Sequence, residues 1–122
     1  MKIGISELKE QLEAMGYVVT MRGDNFLSFN YTIPLGRFRD KEIELGLEAS
    51  QFPLIPPSGL IIKPYLLPIS GGGGSHPNGG IHLRGIPSSE WQYWSRPFPN
   101  WDNCEKTTKT YMAFVRTLFD FE

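Results

Sequence analysis

Two stretches in which apolar and polar side chains alternate, residues 27–33 and 42–48, limit the folds open to this chain. In the first stretch every odd position is apolar and every even position is polar. In the second, Ile43, Leu45 and Leu47 alternate mainly with glutamates. A period of two is typical of a β-strand that buries one face. Both stretches are therefore predicted to be half-buried strands, and the solvent face of the second is expected to be acidic.

Weaker sequence patterns before and after these two stretches predict a first helix and two further strands. The helix has Ser6 as its expected N-cap and ends at Gly16. Residues 17–21 are mainly apolar and rich in β-branched side chains, and residues 60–62 form a short, wholly apolar run. Together with the two alternating stretches, these runs predict a four-stranded antiparallel meander.

Periodicity disappears between Pro64 and Asn100, where proline and glycine are dense. An irregular segment this long inside a compact domain is usually functional. Order returns at Asp102, which with Glu105 has the spacing of a capping box. The apolar stripe of a closing helix follows: Tyr111, Phe114, Val115 and Leu118. We therefore predict one α+β domain over residues 1–122, with an N-terminal helix, the meander, an irregular active-site segment and a C-terminal helix packed on the sheet.

Charge and cysteine content narrow the functional classes. Twelve Lys and Arg against 13 Asp and Glu leave a net charge of -1, without the basic surplus of a general nucleic-acid binder. The single cysteine, Cys104, excludes an intramolecular disulfide and any zinc site built on several cysteines. The start of the chain has no apolar signal core, and its most apolar run, residues 60–69, is interrupted by Lys63 and two prolines. We therefore expect a cytoplasmic protein that binds neither nucleic acid nor membrane.

A tripeptide in the irregular segment, His76-Pro77-Asn78, connects the chain with a known family. Four further features accompany it: Pro56-Pro57, Gly79-Gly80-Ile81-His82, Trp91-Gln92-Tyr93-Trp94-Ser95-Arg96 and Trp101. With the order of elements, these residues resemble the ubiquitin-conjugating-enzyme (UBC) fold, and more closely its compact prokaryotic relatives in bacterial ubiquitin-like modification systems. The resemblance covers about Ser6 to Leu118. It implies a component of such a pathway, with a ubiquitin-like protein and a ThiF-type activating enzyme as partners.

The resemblance also implies roles for three residues. His76 would brace the loop, and the Asn78 amide would donate to the oxyanion that forms when a lysine attacks a thioester. His82 stands where the conjugating enzymes have their cysteine. Because a histidine cannot carry a thioester, His82 would serve as a base or transient acyl acceptor, or else belong to a catalytically inactive adaptor that binds the modifier or the activating enzyme. Taken alone, Pro-Asn-Gly-Gly is an ordinary turn, and the chain would then be an unrelated binding module.

Other residues could also take part in chemistry. Ser75 and Ser95 are alternative acyl acceptors, and Gly71–Gly74 is either a flap beside the site or an ordinary loop. Cys104 is expected on the core stripe of the last helix, buried and inert. Zinc binding by the two histidines and Cys104 is disfavoured because the histidine spacing is loose and a fourth ligand is missing. We predict neither a metal nor a cofactor.

A small basic cluster, Arg37, Arg39 and Lys41, lies between the second and third predicted strands. Such a cluster is either a solvated loop or a docking site for an acidic partner. Both interpretations predict exposed side chains.

Overall fold

Among the described residues, one six-stranded antiparallel sheet carries both helices on the same face. The structure, a computed structural model, describes residues 3–64, 66, 81–84, 91–94 and 98–121. Its elements are α1 (Ile5–Ala14), β1 (Val19–Met21), β2 (Phe26–Thr32), β3 (Glu42–Glu48), β4 (Ser58–Lys63), β5 (Ile81–Arg84), β6 (Trp91–Trp94), a 3-10 helix (Trp101–Asn103) and α2 (Thr108–Phe121). The strand order is β1-β2-β3-β4-β6-β5. The predicted α+β class, with a helix before and a helix after the antiparallel sheet, is confirmed.

The predicted number of strands was wrong, because β5 and β6 lie inside the stretch expected to be irregular. The first four strands do form the predicted meander, but β6 then pairs with β4, and β5 pairs with β6. In β6, Trp91, Gln92 and Trp94 are all buried. A four-residue strand buried on both faces shows no alternation of apolar and polar side chains, so its sequence carries no period-two signal.

The main core lies between the helices and the sheet. The odd-numbered residues of both alternating stretches, together with Leu60 and Ile62 of β4, are buried in it. Leu8 and Leu12 of α1 are fully buried against them. The two alternating stretches therefore form strands with one buried apolar face, as predicted.

α1 begins and ends at glycines. Gly4 occupies the N-cap position with a φ of 114°, and its N–H donates to the Phe52 carbonyl at 2.7 Å. The predicted cap, Ser6, lies inside the first turn, and no side chain caps the helix. Gly16, at a φ of 98°, follows the C-cap residue. The predicted end of α1 is thus confirmed, whereas its predicted N-cap was wrong.

α2 begins at Thr108, later than the capping box predicted at Asp102. Residues Trp101–Asn103 form a 3-10 helix instead. The cap of α2 is Thr107, whose Oγ1 accepts a hydrogen bond from the Thr110 N–H at 3.2 Å.

The buried stripe of α2 is correspondingly displaced from the predicted one. Its buried apolar residues are Tyr111, Met112, Val115 and Phe119. Two residues of the predicted stripe, Phe114 and Leu118, are half-buried and pack against its border. The closing helix therefore packs on the sheet as expected, through a stripe in which Phe119 replaces Leu118 as the last buried residue.

Candidate functional site

The candidate site includes β6, the strand that pairs with both β4 and β5. The side chain of Gln92 is fully buried. Its Oε1 accepts one hydrogen bond from Trp94 Nε1 at 2.8 Å and another from the Leu66 N–H at 3.0 Å. A buried amide is costly unless it is hydrogen-bonded. Gln92 therefore fastens Leu66, in the chain that follows β4, to β6. The segment that carries His76-Pro77-Asn78 comes after Leu66 in the sequence.

His82 is the only one of the three predicted site residues whose backbone is described. It lies in β5 opposite Tyr93 of β6, in a strand and not in the loop expected from the sequence. His76 and Asn78 lie outside the described residues. The same holds for four other predicted features: Ser75, Ser95, Arg96 and Gly71–Gly74. Their assigned roles remain predictions.

Four aromatic side chains connect the 3-10 helix with α2. The ring of Phe98 lies 5.0 Å from Trp101, 4.6 Å from Phe114 and 6.2 Å from Tyr111 between centroids. Trp101 is fixed in turn because its Nε1 donates to the Pro53 carbonyl at 2.9 Å. Aromatic contacts of this kind stabilise beyond the area they bury. Trp101 is thus a packing residue.

The hydroxyl of Tyr111 is buried and has no hydrogen-bond partner among the described residues. Burial, followed by the charge of Tyr93, raises the pKa of Tyr111 well above its ordinary value. A phenol is neutral at physiological pH even at its ordinary pKa, and burial here favours the neutral form further. A buried polar group left without a partner costs about 1–3 kcal/mol. Sequence reasoning placed Tyr111 in the apolar stripe, and no local pattern distinguishes its hydroxyl from the apolar side chains around it.

A cavity of about 270 Å³ lies between α1 and the start of α2. Gln11, on its wall, accepts the Thr108 N–H at Oε1 over 2.7 Å and donates from Nε2 to Glu7 at 2.6 Å. Two N–H groups of the first turn of α2 are thus satisfied within the chain, one by Gln11 and one by the Thr107 hydroxyl. These two donors are therefore occupied within the chain and are not available to an anion.

Arg22, Ser28 and Glu44 form a hydrogen-bonded network on the sheet face away from the helices. Arg22 Nε donates to Ser28 Oγ at 3.0 Å, Arg22 Nη2 pairs with Glu44 Oε2, and Ser28 Oγ donates to the same carboxylate oxygen at 2.5 Å. Burial alone raises the pKa of Glu44, but the hydrogen bonds from Ser28 and Arg22 and the charges of Arg22 and Lys63 outweigh it and lower that pKa.

This network is structural and not a nucleophile with its base. The Ser28 side chain is fully buried, so its hydroxyl cannot reach a substrate. The Glu44 carboxylate is held ionised by its cationic neighbours and is a weak base for that reason. The face predicted to be acidic is therefore partly neutralised by Arg22, which the sequence pattern did not indicate.

Cys104 is exposed, so the prediction of a buried cysteine was wrong. It follows the 3-10 helix with an extended backbone (φ -117°, ψ 165°), outside α2 and off its buried stripe. The error follows from the misplaced helix start, since counting the helical period from Asp102 put Cys104 on the core face. In the described part of the chain, no three His, Cys, Asp or Glu residues are grouped so that they could hold a metal ion.

Comparison of the chain with protein-family models, curated proteins and solved structures found no significant match. Within the described ranges, no helix has the length and apolar character needed to cross a membrane. The function therefore has to follow from the residues and geometry described above.

Proposed function

We propose that this protein is a UBC-fold component of a ubiquitin-like modification pathway in which His82 stands at the position of the usual cysteine. Its partners are a ubiquitin-like protein and a ThiF-type activating enzyme. The supporting observation is the order of elements along the chain: α1, four meandering strands, His76-Pro77-Asn78, the tryptophan strand β6, the 3-10 helix and α2. The resemblance to the UBC fold rests on this order for the two helices and the first four strands, whereas β5 and β6 lie in the segment that was expected to be irregular.

In the transferase form of this proposal, a partner protein supplies the modifier as a thioester. The amine of a target lysine attacks the thioester carbonyl, the C–N bond forms, the C–S bond breaks and the thiolate leaves. Neutral His82 takes up the proton that the amine loses. The Asn78 amide donates to the oxyanion of the tetrahedral intermediate, and His76 holds the loop. No thioester forms at position 82, so the donor thiol belongs to the partner.

The second candidate is a catalytically inactive adaptor that binds the modifier or the activating enzyme. One observation favours it: neither the Ser28 hydroxyl nor the Cys104 thiol can replace the missing cysteine. The Ser28 hydroxyl is buried, and the thiol of Cys104 follows the 3-10 helix and does not occupy position 82. An adaptor needs the fold and its surface but no nucleophile.

Intact-mass measurement separates these two functions. The protein is incubated with the activating enzyme, ATP, the modifier and a lysine acceptor. The transferase predicts a modified lysine acceptor, whereas the adaptor predicts a stable complex and an unmodified acceptor. His82→Ala is expected to abolish transfer and to leave partner affinity nearly unchanged, because a group that acts only in the transition state does not contribute to ground-state binding.

Cys104→Ala is the matched control and is expected to leave transfer unchanged. Loss of a reductant-sensitive adduct in Cys104→Ala would contradict our assignment of the site. Full transfer by His82→Ala would remove histidine from the mechanism and leave Ser75 or Ser95 as the next candidates. If neither a modified acceptor nor a complex formed, both candidate functions would be wrong.

The proposal places the protein in the cytoplasm, where ATP is present for activation and a single thiol stays reduced. The exposed Cys104 allows a direct test. A membrane-impermeant maleimide should label this thiol only after the cells are lysed. Labelling of intact cells would contradict a cytoplasmic location.

A further inference from the structure

The connection between β2 and β3, residues 33–41, is a loop closed by its own backbone hydrogen bonds. The Ile33 N–H donates to the Lys41 carbonyl at 2.9 Å, and the Asp40 N–H donates to the Ile33 carbonyl at 2.8 Å. A third bond joins the Lys41 N–H to the Phe38 carbonyl at 3.0 Å. These bonds satisfy polar backbone groups inside the loop and restrain its conformation.

Two residues of this loop are packed against the body of the protein. Phe38 is buried, and its ring lies 6.5 Å from that of Trp94 in β6. Gly36, at a φ of 84°, lies so close to the end of α2 that a Cβ would stand 2.1 Å from the Phe119 carbonyl oxygen. The loop therefore has a defined position relative to both β6 and α2.

The side chains that this rigid loop exposes are mainly cationic. Arg37, Arg39 and Lys41 are all exposed, and with Asp40 they give the loop a net charge of +2 on a chain of net charge -1. Within the described part of the chain, none of the three forms an ion pair. Cations elsewhere do pair with acids: Lys9 with Glu13, Arg22 with Glu44 and Lys106 with Asp102.

The guanidinium of Arg37 is further restrained by the loop itself, because it lies 4.8 Å above the ring of Phe38. The buried ring thus supports the cation from below and leaves its N–H groups toward the outside. A side chain that is ordered before binding loses less entropy when a partner binds.

We propose that the loop 33–41 docks a carboxylate-rich segment of a partner protein through Arg37, Arg39 and Lys41. Guanidinium groups bind carboxylates in a bidentate manner, which favours an acidic peptide. Nucleic acid is disfavoured because three cations on a chain with net charge -1 form only a short electrostatic footprint. This interaction is separate from the chemistry proposed at His82 and does not depend on it.

The test uses a fluorescein-labelled decaglutamate peptide and measures its anisotropy with the full-length protein at low salt. Arg37→Ala/Arg39→Ala is expected to weaken binding about fivefold, because each exposed charge pair contributes modestly. The matched control, Lys9→Ala/Lys109→Ala, removes the same charge from the two helices and is expected to change affinity by less than about twofold. Arg37→Lys/Arg39→Lys keeps the charge, loses the bidentate geometry and is expected to lie in between.

Circular dichroism of each variant verifies that the fold is retained. Equal weakening by the two alanine pairs would overturn the proposal, because the overall charge and not the loop would then attract the peptide. Undetectable binding by the wild type would overturn it as well. Tighter binding of a labelled ten-nucleotide thymidine oligomer than of decaglutamate would assign the loop to nucleic acid and not to an acidic peptide.

Discussion

The ring of Phe26 lies directly against Gly46 on the sheet face away from the helices. A Cβ built on Gly46 would be 2.5 Å from Phe26 Cε1 and 2.8 Å from Cζ. The same ring meets the ring of Trp91 edge-on at 6.0 Å. The missing side chain at position 46 therefore provides the space in which the small cluster of Phe26, Ile61 and Trp91 packs.

Gly46→Ala is expected to destabilise the fold by about 1–3 kcal/mol, because the added methyl group overpacks this cluster. Gly23→Ala is the control, since a Cβ there would have Phe26 Cβ at 3.8 Å as its nearest neighbour. The control should change the free energy of unfolding by less than about 0.5 kcal/mol. Urea denaturation of both variants measures the difference, and an unchanged Gly46→Ala would contradict the close contact.

Phe119→Ala is expected to cost about 3–5 kcal/mol, because its fully buried ring packs against Tyr31 at 5.8 Å and Trp94 at 5.5 Å. Phe114→Ala removes the same ring from a half-buried position on the same helix and should cost about 1–2 kcal/mol. Thermal and urea unfolding of the pair distinguish the observed stripe from the one predicted by sequence. A larger loss for Phe114→Ala would favour the predicted stripe.

Thr107→Ala is expected to destabilise the protein by about 1 kcal/mol, because it removes the hydroxyl that caps α2. Asp102→Ala is the comparison, since Asp102 forms only an exposed pair with Lys106 at 3.1 Å and should cost less than about 0.5 kcal/mol. The two free energies of unfolding identify the residue that starts the helix. The reverse order would restore the capping box predicted at Asp102.

The lowered pKa of Glu44 predicts a dependence of stability on pH. A carboxyl whose pKa is lower in the folded than in the unfolded state stabilises the fold fully above its unfolded value, here 4.5. This contribution is lost as the pH falls through the folded pKa. The stability gap between the wild type and Glu44→Gln should therefore be widest near neutral pH and shrink below about 4.5. Glu42→Gln, an exposed change in the same strand, is the control and should show no such pH-dependent stability gap. A gap between the wild type and Glu44→Gln that widened on acidification would contradict the lowered pKa of Glu44.

Cys104 is expected to react with Ellman's reagent in the native protein, without denaturant, to one equivalent per chain. Cys104→Ser should change stability by less than about 0.5 kcal/mol, because an exposed side chain outside a helix has little packing to lose. The rate of reaction in urea serves as the reference for a fully accessible thiol. Strong protection in the native state would show that the residue is covered.

The sequence predicted β2 and β3 together with their buried faces, because each of these strands has one apolar and one polar face. β2 and β3 show a period of two in their sequences, because solvent and core impose opposite requirements on neighbouring residues. β6 does not, because Gln92 is as buried as the tryptophans beside it. Its strand character depends on pairing with β4 and β5, which is a non-local property.

The start of α2 was misplaced for a related reason. Asp102 and Glu105 have the spacing of a capping box, but Trp101 is bound to the Pro53 carbonyl from another part of the fold. This contact coincides with a 3-10 turn at 101–103. The tertiary contact of Trp101 therefore outweighs the local capping-box pattern. No local pattern marks the site residues Gln92 and Tyr111, because Gln92 is distinguished by its bond to distant Leu66 and Tyr111 by a hydroxyl without a partner among the described residues.

The hydrogen bond between Gln11 and the Thr108 N–H joins positions 97 residues apart, so it can form only late in the synthesis of the domain. A ten-residue helix such as α1 is marginal in water on its own. During synthesis on a ribosome, Gln11 of α1 emerges 97 residues before the backbone group that it binds. A nascent chain that lacks α2 therefore leaves uncovered the part of the core that Tyr111, Met112, Val115 and Phe119 complete, and we expect such a chain to bind chaperones.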